Sequence, residues 1–286
     1  MIIWLASYPK SGNTWLRSLL CAYFFSKDGI FNFNQLENIQ QFSSLNKQSI
    51  DANDSNYQNR VSKNWIPSQE LINKDKKIHI LKTHNAMCTI NGNMFTNELN
   101  SLACIYIVRD PRNVVTSISN HFNLNLLEAF NFIKNEKKII FPKKNILPPN
   151  RRQDPKDFNF LSSWSGHYLS WKNTNYFPVK VLRYEDLEKD INKSFNSVLI
   201  FLSKFMKFEI DNKRIYKCID STDFEKLRNM EDNEGFVETP DSFKKEKKIR
   251  FFHLGKKNNW KTLLDNKLSK GIEEDFKKEM QNLGYL

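Results

Sequence analysis

The sequence lacks any hydrophobic run long enough to cross a bilayer. The apolar run at residues 2–6 is much shorter than the roughly 20 residues of a transmembrane helix, and no later window is both long and uncharged. A secretory leader is not indicated either, because the nearest basic residue, Lys10, follows the apolar run instead of preceding it. We therefore expect a soluble, cytoplasmic protein with no membrane span.

Cysteine is scarce, and the four cysteines show no C-x-x-C spacing. They are Cys21, Cys88, Cys104 and Cys218. Their neighbours are mostly apolar, which is typical of free, buried thiols in a reducing compartment. The spacing favours neither a zinc site nor a disulfide framework.

The sequence also lacks the G-x-x-x-x-G-K-[ST] loop that binds nucleoside triphosphates in many enzymes. The stretch SYPKSGNTW (7–15) departs from it at two positions, because the first glycine is missing and Lys10 precedes Gly12. It still places a lysine, a glycine and hydroxyl groups between an apolar run and a helical pattern, where backbone N–H groups bind anions. We therefore predict an anion site here. No tight Asp or Glu cluster near this turn resembles a magnesium site, so no metal is expected.

Acidic residues are outnumbered, since 44 Lys and Arg against 32 Asp and Glu give a net charge of +12. One interpretation is a solvated surface in a lysine-rich protein. The other is attraction of polyanions such as nucleotides, acidic glycans or nucleic acid. Charge alone does not choose between them.

Short apolar runs that end in polar residues predict four buried parallel strands. They lie at residues 2–7, 78–84, 103–110 and 179–186. Helical patterns lie between and after them, at residues 13–25, 111–122, 161–173, 187–203 and about 269–282. This alternation predicts an α/β fold of three layers, with a mostly parallel central sheet and helices on both faces. Because no internal repeat or second core is visible, we expect a single domain over residues 1–286.

Two stretches interrupt this alternation. Residues 42–66 are rich in Ser, Asn, Gln and Asp, and residues 135–159 combine four prolines with lysines and arginines. Long irregular segments within a compact domain are commonly binding loops or lids. We therefore predict irregular loops in both stretches.

A lysine and a histidine stand at the end of the second predicted strand, where ligands bind in parallel sheets. In LKTH (81–84), Lys82 and His84 project to the same side because strand side chains alternate. The lysine would lower the pKa of the histidine and keep the imidazole neutral near pH 7. His84 is thus a candidate general base, against the alternative that it only fills a polar niche.

A further polar group follows the third predicted strand, in IVRDPRNVVTS (107–117). Asp110 is predicted to cap a helix whose first residue is Pro111. Arg109 then ends the strand, and Ser117 lies two turns into the helix. An arginine and a serine beside one crevice predict a phosphate site.

These motifs, in this order, resemble those of the cytosolic-type sulfotransferases, which use 3′-phosphoadenosine 5′-phosphosulfate (PAPS). The similarity continues along nearly the whole chain, in LRYEDL (182–187), STDF (221–224), FFHLGKKNNWK (251–261) and FKKEMQNLGY (276–285). The resemblance implies a PAPS-dependent sulfotransferase with a P-loop-like phosphosulfate-binding turn after the first strand. It also implies 3′,5′-ADP as the product and no metal.

The resemblance implies roles for individual residues. Lys10 and Lys82 would neutralise charge on the leaving phosphate, and His84 would deprotonate the acceptor. Arg109 and Ser117 would bind the 3′-phosphate. The full set implied in donor binding is Lys10, Ser11, Gly12, Asn13, Thr14, Trp15, Arg109, Ser117, Tyr184, Thr222, Phe224, His253 and Gly255.

Two positions depart from the family pattern. Where the family commonly has Arg-Lys-Gly, this chain has His253, Leu254 and Gly255, so two positive side chains are lost or moved. The residues that could compensate are Lys256, Lys257 and Arg250. Asn13 stands where threonine is more common, and an amide also hydrogen-bonds a phosphate.

Three alternatives stay open at this point: an ATP-dependent phosphotransferase, a non-catalytic basic protein that binds polyanions, and an inactive sulfotransferase fold, which the departure at His253 and Leu254 suggests. For a sulfotransferase, the acceptor loops would be residues 42–66, 85–97 and 135–160. Their Lys, Arg, Asn and Gln content favours a polar acceptor, such as a saccharide or a lipid-linked glycan, over a flat phenol. The expected partner is a small-molecule or glycan acceptor and not nucleic acid, and the oligomeric state stays open.

Overall fold

The computed structural model describes residues 1–44, 56–141, 157–239 and 250–286. In chain order its strands are β1 Ile2–Ser7, β2 His79–Thr83, β3 Thr89–Ile90, β4 Asn93–Met94, β5 Ser101–Val108, β6 Ile139–Ile140, β7 Asn159–Phe160 and β8 Val179–Arg183. Four of them form a sheet in the order β2-β1-β5-β8, and every neighbouring pair is parallel. The predicted parallel central sheet is confirmed.

Both faces of this sheet are buried, because β1 has apolar side chains on both of them. Ile2, Trp4 and Ala6 belong to one hydrophobic cluster, whereas Ile3 and Leu5 belong to the other. Because strand side chains alternate between the two faces, each face needs a covering layer of helices. The three predicted layers follow.

Helices cover the two faces of the sheet. In chain order they are α1 Asn13–Phe25, α2 Tyr57–Lys63, α3 Trp65–Asn73, α4 Pro111–Phe122, α5 Leu126–Lys134, α6 Trp164–Lys172, α7 Tyr184–Lys189, α8 Ile191–Leu202, α9 Asn212–Ser221, α10 Phe224–Glu234, α11 Trp260–Leu263, α12 Asn266–Asp275 and α13 Lys277–Asn282. Short 3₁₀ turns occupy Phe33–Asn38 and Gly255–Lys257. As predicted, Asp110 caps α4 and Pro111 is its first residue. In the described part of the chain, no helix has the length and apolar character needed to cross a membrane.

Three sequence predictions have wrong bounds. The strand predicted at 179–186 ends at Arg183 because α7 starts there, and acidic side chains in the first turn of α7 favour a helix start. The helix predicted at 187–203 is replaced by α7 and α8, which are separated at Asp190, whose side chain caps α8. The helix predicted at 269–282 is likewise two helices, α12 and α13.

The prediction that residues 42–66 are irregular is wrong for their last part. The helix α2 and the start of α3 lie there. Tyr57, Val61 and Trp65 are buried and join both helices to the core. Burial of these three side chains stabilises the helices although the stretch is mostly polar. Residues 45–55 lie outside the described residues.

The loops predicted at 85–97 and 135–160 contain short strands. In the first, β3 and β4 pair as an antiparallel hairpin. In the second, β6 and β7 pair antiparallel near its two ends, and residues 142–156 lie outside the described residues. The Ala86 N–H donates to the Phe160 carbonyl oxygen at 2.8 Å, so β7 adjoins the chain that follows β2.

All four cysteines are free thiols, as predicted. Cys21, Cys104 and Cys218 are buried, and Cys88 is half-buried. Burial raises the pKa of Cys21 and of Cys88 to about 12, which keeps both thiols protonated.

Candidate active site

A cavity of about 440 Å³ opens at the carboxyl ends of the sheet strands. Three lining residues directly follow a strand, since His84 follows β2, Arg109 follows β5 and Tyr184 follows β8. Lys10 lines the same cavity from the turn after β1. Because the carboxyl ends of parallel strands meet at one edge of a sheet, residues far apart in sequence converge here. The volume suits a small-molecule site.

The turn between β1 and α1 depends on Gly12. Its φ of 98° lies in the left-handed region that favours glycine, and a Cβ there would lie 2.5 Å from the Tyr184 ring. Gly12 and Thr14 line the cavity, so the free N–H groups of the helix start are available to an anion. Ser11 is fully buried under the turn, and its Oγ has no hydrogen-bond partner among the described residues.

Lys10 is a cation in crowded surroundings. Its Nζ lies 3.7 Å from the centroid of the Phe251 ring. Burial lowers the pKa of Lys10 to about 7, although the negative charge of Glu238 opposes this. The positive charges of Arg109 and Lys82 also lower the pKa of Lys10. An anion bound beside Lys10 would raise its pKa again.

A carboxylate of the chain itself lies among the polar donors of the cavity. Lys82 Nζ donates to Glu238 Oε1 at 2.6 Å, and Arg17 Nη1 donates to the same oxygen at 2.8 Å. Thr14 Oγ1 donates to Glu238 Oε2 at 2.7 Å. The side chains of Arg17 and Lys82 are only 1% and 4% exposed. The donors proposed from the sequence at Thr14 and Lys82 thus share an internal anion with Arg17.

The electrostatics of this group keep Glu238 ionised. Burial by itself would raise the pKa of Glu238. The charges of Lys82 and Arg17 and a hydrogen bond from Thr14 outweigh burial, so this pKa lies well below its usual range. Burial lowers the pKa of Lys82, and Glu238 opposes that shift. The carboxylate and its cations therefore stabilise each other's charged forms.

His84 has a defined tautomer. Its Nδ1 lies 2.8 Å from the Ser7 carbonyl oxygen. Since a carbonyl oxygen only accepts, Nδ1 carries the hydrogen and Nε2 is left with a lone pair. Burial, and after it the charge of Lys82, lowers the pKa of His84 to about 3. The pKa decrease expected from the sequence is confirmed, and at neutral pH the imidazole is neutral with an unprotonated Nε2.

A buried histidine holds the backbone of His84. His167 Nε2 lies 3.1 Å from the His84 carbonyl oxygen, and His167 Nδ1 lies 2.7 Å from the Tyr106 hydroxyl. The carbonyl fixes the hydrogen on Nε2, so Tyr106 donates to Nδ1. His167 is fully buried. The chain at the end of β2 is therefore tied to α6 and β5.

Arg109 and Ser117, predicted to share a phosphate site, lie together beside Asn258. Arg109 Nη1 donates to Ser117 Oγ at 3.4 Å, and Asn258 Nδ2 donates to the same oxygen at 2.9 Å. With two donors on its oxygen, the Ser117 hydroxyl keeps its own hydrogen for an acceptor. Arg109 Nε is buried and has no partner among the described residues. These donors fit an anionic group.

Four residues that the resemblance implies in donor binding are Trp15, Tyr184, Thr222 and Phe224, and the three aromatic ones lie together. Trp15, Tyr184 and Phe224 line the cavity, and the ring centroids of Trp15 and Tyr184 lie 5.8 Å apart. Thr222 is not among the lining residues, because it is fully buried and its hydroxyl donates to the Cys218 carbonyl oxygen at 2.8 Å. Its own carbonyl oxygen accepts from Trp15 Nε1 at 3.1 Å, so Thr222 orients the indole.

Asn13 lines the cavity but directs its amide nitrogen elsewhere. Nδ2 donates to the Leu5 carbonyl oxygen at 3.0 Å and to Ser7 Oγ at 3.2 Å. The amide nitrogen that the sequence offered to a phosphate therefore ties the start of α1 to β1.

The loop that departs from the family pattern also reaches the cavity. His253, Gly255 and Lys256 line it. Arg250 instead donates through Nε to Asp232 Oδ1 at 3.0 Å. Of the three residues that could compensate, Lys256 lines the cavity, Arg250 pairs elsewhere, and Lys257 is not among the lining residues.

Sequence reasoning missed several polar residues of this cavity, and among them Glu238 and Asn258 hydrogen-bond to predicted site residues, while Arg17 hydrogen-bonds to Glu238. A signal existed for Arg17, because it lies three positions after Thr14 and therefore on the same side of α1. No such signal existed for Glu238, which is 221 residues from Arg17. Among the described residues, no group of three or more His, Cys, Asp or Glu side chains is arranged to hold a metal ion.

The sequence matches one family over almost its whole length. The sequence model of the sulfotransferase domain covers residues 2–284. Sulfotransferase 1E1 of Bos taurus is 22% identical over 284 residues, which covers 97% of this chain and 82% of the relative. Sulfotransferase 1B1 of Canis lupus familiaris is 23% identical over 280 residues, covering 96% and 82%. Flavonol 3-sulfotransferase of Flaveria bidentis is 22% identical over 285 residues, covering 95% and 79%.

Solved structures share the fold. Mouse sulfotransferase SULT7A1 complexed with PAP aligns with a TM-score of 0.59 at 20% identity, over 98% of this chain and 85% of that one. Retinol dehydratase in complex with androsterone and the inactive cofactor PAP aligns with a TM-score of 0.58 at 17% identity, over 98% and 80%. At these identities the similarity concerns the fold.

Proposed function

Since this chain belongs to the sulfotransferase family, we propose that it transfers a sulfuryl group from PAPS to a hydroxyl or amino group of an acceptor. The observation that carries the proposal is the meeting of Lys10, Lys82, His84 and Arg109 in one cavity at the carboxyl ends of the strands. A donor with a 5′-phosphosulfate and a 3′-phosphate needs cations at two places, and Arg109 with Ser117 supplies the second.

For a hydroxyl acceptor, the transfer is an in-line displacement at sulfur. The bond between sulfur and the oxygen that bridges it to the 5′-phosphate breaks, and its electron pair stays on that oxygen. The acceptor oxygen forms the new S–O bond, and its proton passes to Nε2 of His84. The products are a sulfate ester and 3′,5′-ADP.

Three side chains carry the chemistry in this proposal. His84 acts as the general base, because its Nδ1–H is held by the Ser7 carbonyl oxygen and Nε2 has a free lone pair. Lys10 and Lys82 stabilise the negative charge that grows on the leaving phosphate. Fixed cations in a buried site need no reorganisation as that charge develops.

The donor is recognised at both ends of the cavity. The N–H groups at the start of α1 and the hydroxyls of Ser11 and Thr14 would hold the 5′-phosphosulfate. Arg109 and Ser117 would hold the 3′-phosphate. The support is that Arg109 lines the cavity and its Nε is buried without a partner among the described residues, because such an atom gains most from a ligand oxygen. Ser11 Oγ is also buried without a partner among the described residues, but Ser11 is not among the lining residues. The adenine would lie between Trp15 and Phe224.

The acceptor would enter beside β7 and the chain that follows His84. Ile140 and Phe141 give this side of the cavity apolar surface, and Gln41 and Asn159 give it amides. This mixture supports an acceptor with an apolar body and polar substituents, as in a lipid-linked glycan. We further propose that residues 1–286 form one domain and that it acts in the cytoplasm, which its four free thiols support.

The experiment that tests the donor compares thermal stabilisation by 3′,5′-ADP and by 5′-AMP. A ligand at a hundred times its Kd stabilises by about 2.7 kcal/mol, and 3′,5′-ADP should give the larger shift at equal concentration. Arg109→Ala should remove the difference. Arg214→Ala is the control, because Arg214 binds backbone carbonyl oxygens of α1 away from the cavity.

Equal shifts by the two nucleotides for the unmodified protein would contradict the proposal. A larger shift by ATP with magnesium than by 3′,5′-ADP would favour a phosphotransferase instead. Stabilisation by any polyanion without preference would favour a non-catalytic binding protein.

A further inference from the structure

The internal carboxylate of Glu238 marks where an anionic group fits in the cavity. It accepts from Thr14 Oγ1, Arg17 Nη1 and Lys82 Nζ at 2.6–2.8 Å. A sulfuryl group carries the same single charge and similar acceptor oxygens. Resting on the proposed function, we propose that the sulfuryl group of PAPS displaces the Glu238 carboxylate and is bound by Arg17 as well as by Lys82 and Thr14.

The contacts of Glu238 distinguish the sulfuryl position from that of the 5′-phosphate. Within the described residues, Glu238 accepts from side chains and not from a backbone N–H group. The N–H groups at the start of α1 are left for the 5′-phosphate. Glu238 and His84 line the same cavity, and the charge of Glu238 opposes the fall in the pKa of His84. The group beside the base is the one that meets the acceptor.

Arg17 is held in a fixed orientation for this role. Its Nε donates to the Ile39 carbonyl oxygen at 2.5 Å, and its Nη2 donates to the Leu36 carbonyl oxygen at 2.7 Å. These two bonds set the plane of the guanidinium and leave Nη1 for Glu238. A preorganised donor of this kind stabilises charge without reorientation. Arg17 would therefore touch the transferred group itself.

Charge balance explains why a carboxylate occupies this position. Arg17 and Lys82 are almost fully buried, and two buried cations without an anion are costly. Glu238 compensates them before the donor arrives. Exchange of one carboxylate for one sulfuryl group leaves the negative charge that faces Arg17 and Lys82 unchanged. The donor consequently competes with Glu238 for these donors.

The test compares PAPS with 3′,5′-ADP, which differ only in the sulfuryl group, by calorimetric titration without an acceptor. Arg17→Lys should weaken PAPS binding about tenfold more than 3′,5′-ADP binding, as expected for a lost charged hydrogen bond. Glu238→Gln should strengthen PAPS binding more than 3′,5′-ADP binding. Glu234→Gln is the control, because it removes the same charge from an exposed position at the end of α10.

Equal changes for the two nucleotides in both variants would overturn the inference while leaving the proposed function intact. Should Arg17→Lys fail to fold, Glu238→Gln decides alone, since equal tightening of both nucleotides would place Glu238 outside the sulfuryl position. Failure of the unmodified protein to bind either nucleotide would instead contradict the proposed function.

Discussion

At the scale of single residues, the hydrogen bond from His84 Nδ1 to the Ser7 carbonyl oxygen selects the tautomer with a basic Nε2. His84→Ala should lower kcat by about 10²–10⁴-fold, the usual contribution of a general base, and leave the Kd of 3′,5′-ADP nearly unchanged. Because the pKa of His84 is lowered to about 3, protonation of this base should not reduce kcat/KM between pH 8 and pH 5. Steady-state rates and titrations with 3′,5′-ADP measure both effects.

The control for this variant is His79→Ala, at the opposite end of β2, where the histidine pairs with Asp75 at 2.9 Å. It should keep full turnover. If His84→Ala lowers the melting temperature but retains most of its activity per folded molecule, His84 is a structural residue and not the base.

The lowered pKa of Lys10 predicts that nucleotide binding depends on pH. Its pKa in the free protein is lowered to about 7, so at pH 8 most molecules have a neutral amine there. A bound phosphate raises this pKa, and binding at pH 8 should therefore take up protons, with affinity falling by up to about tenfold per pH unit above pH 7. Calorimetry with 3′,5′-ADP in HEPES and in Tris measures the uptake. Lys10→Met should abolish it, and no uptake by the unmodified protein would contradict the prediction.

Asn258 predicts an effect specific to the 3′-phosphate. Its amide donates to Ser117 Oγ, which leaves the serine hydrogen for a ligand. In Asn258→Asp, a carboxylate would accept that hydrogen and repel the phosphate, so 3′,5′-ADP should lose at least about tenfold in affinity and 5′-AMP much less. The measurement is the ratio of the two dissociation constants.

Asn259→Asp is the matched control for this change. Asn259 is exposed and caps α11 by accepting from the Lys261 N–H at 3.1 Å, which an aspartate also does. The same charge one residue away should leave the ratio unchanged. Equal losses for both nucleotides in Asn258→Asp would show that Asn258 supports the loop and does not orient Ser117.

Sequence reasoning reached Lys82, His84 and Arg109 because each lies in or directly follows a recognisable strand, and Lys10 because it lies in the turn after the first strand. It missed Glu238, which belongs to no periodic pattern and meets Lys82 across 156 residues of sequence. Such a contact depends on the path of the chain in space, and the residues around Glu238 in the sequence give no indication of that path.

At the scale of elements, the turn between β1 and α1 needs a glycine for two separate reasons. Gly12 has a φ of 98°, and a Cβ would lie 2.5 Å from the Tyr184 ring. Gly92 has a φ of 81°, but its Cβ would have nothing within 4 Å. Gly92→Ala should lower the free energy of unfolding by about 1–2 kcal/mol, because alanine disfavours this backbone conformation. Gly12→Ala should lower it by about 1–3 kcal/mol more, because the new Cβ would overlap the Tyr184 ring.

Urea unfolding of the two variants measures this difference. Gly12→Ala should also weaken 3′,5′-ADP binding, since the Tyr184 ring and the helix start must move apart, whereas Gly92→Ala should not. Equal free energies of unfolding for the two variants would show that the overlap at Gly12 is relieved at no cost.

Elements were predicted well where local signals agree and poorly where they compete. All six residues of β1 are buried, as its apolar run predicts. Asp110 caps α4 and Pro111 is its first residue, as this pair predicts. The acidic start of α7 ended β8 earlier than its apolar run indicated. In α2 and α3, a few buried side chains such as Trp65 decide the structure although most neighbours are polar.

At the scale of the whole molecule, the strand order β2-β1-β5-β8 could not be read from the sequence. The pattern predicted parallel strands, but their neighbours depend on pairing across long segments. In β1, Ile2 is aligned with His79 on one side and with Ser101 on the other. Because β1 lies between β2 and β5, the turn between β1 and α1 lies between His84 and Arg109 at the edge of the sheet.

The same position of β1 has a consequence for biosynthesis. The turn with Lys10 and Gly12 is synthesised early, but the strands that pair with β1 follow about a hundred residues later. At a synthesis rate of about 5–20 residues per second, this is a delay of about 5–20 s on the ribosome. Until then the apolar strand Ile2–Ser7 has no partner and is a target for chaperones. Since the proposed nucleotide site forms only with this late pairing, we expect a bound nucleotide to slow unfolding of the native state without accelerating folding.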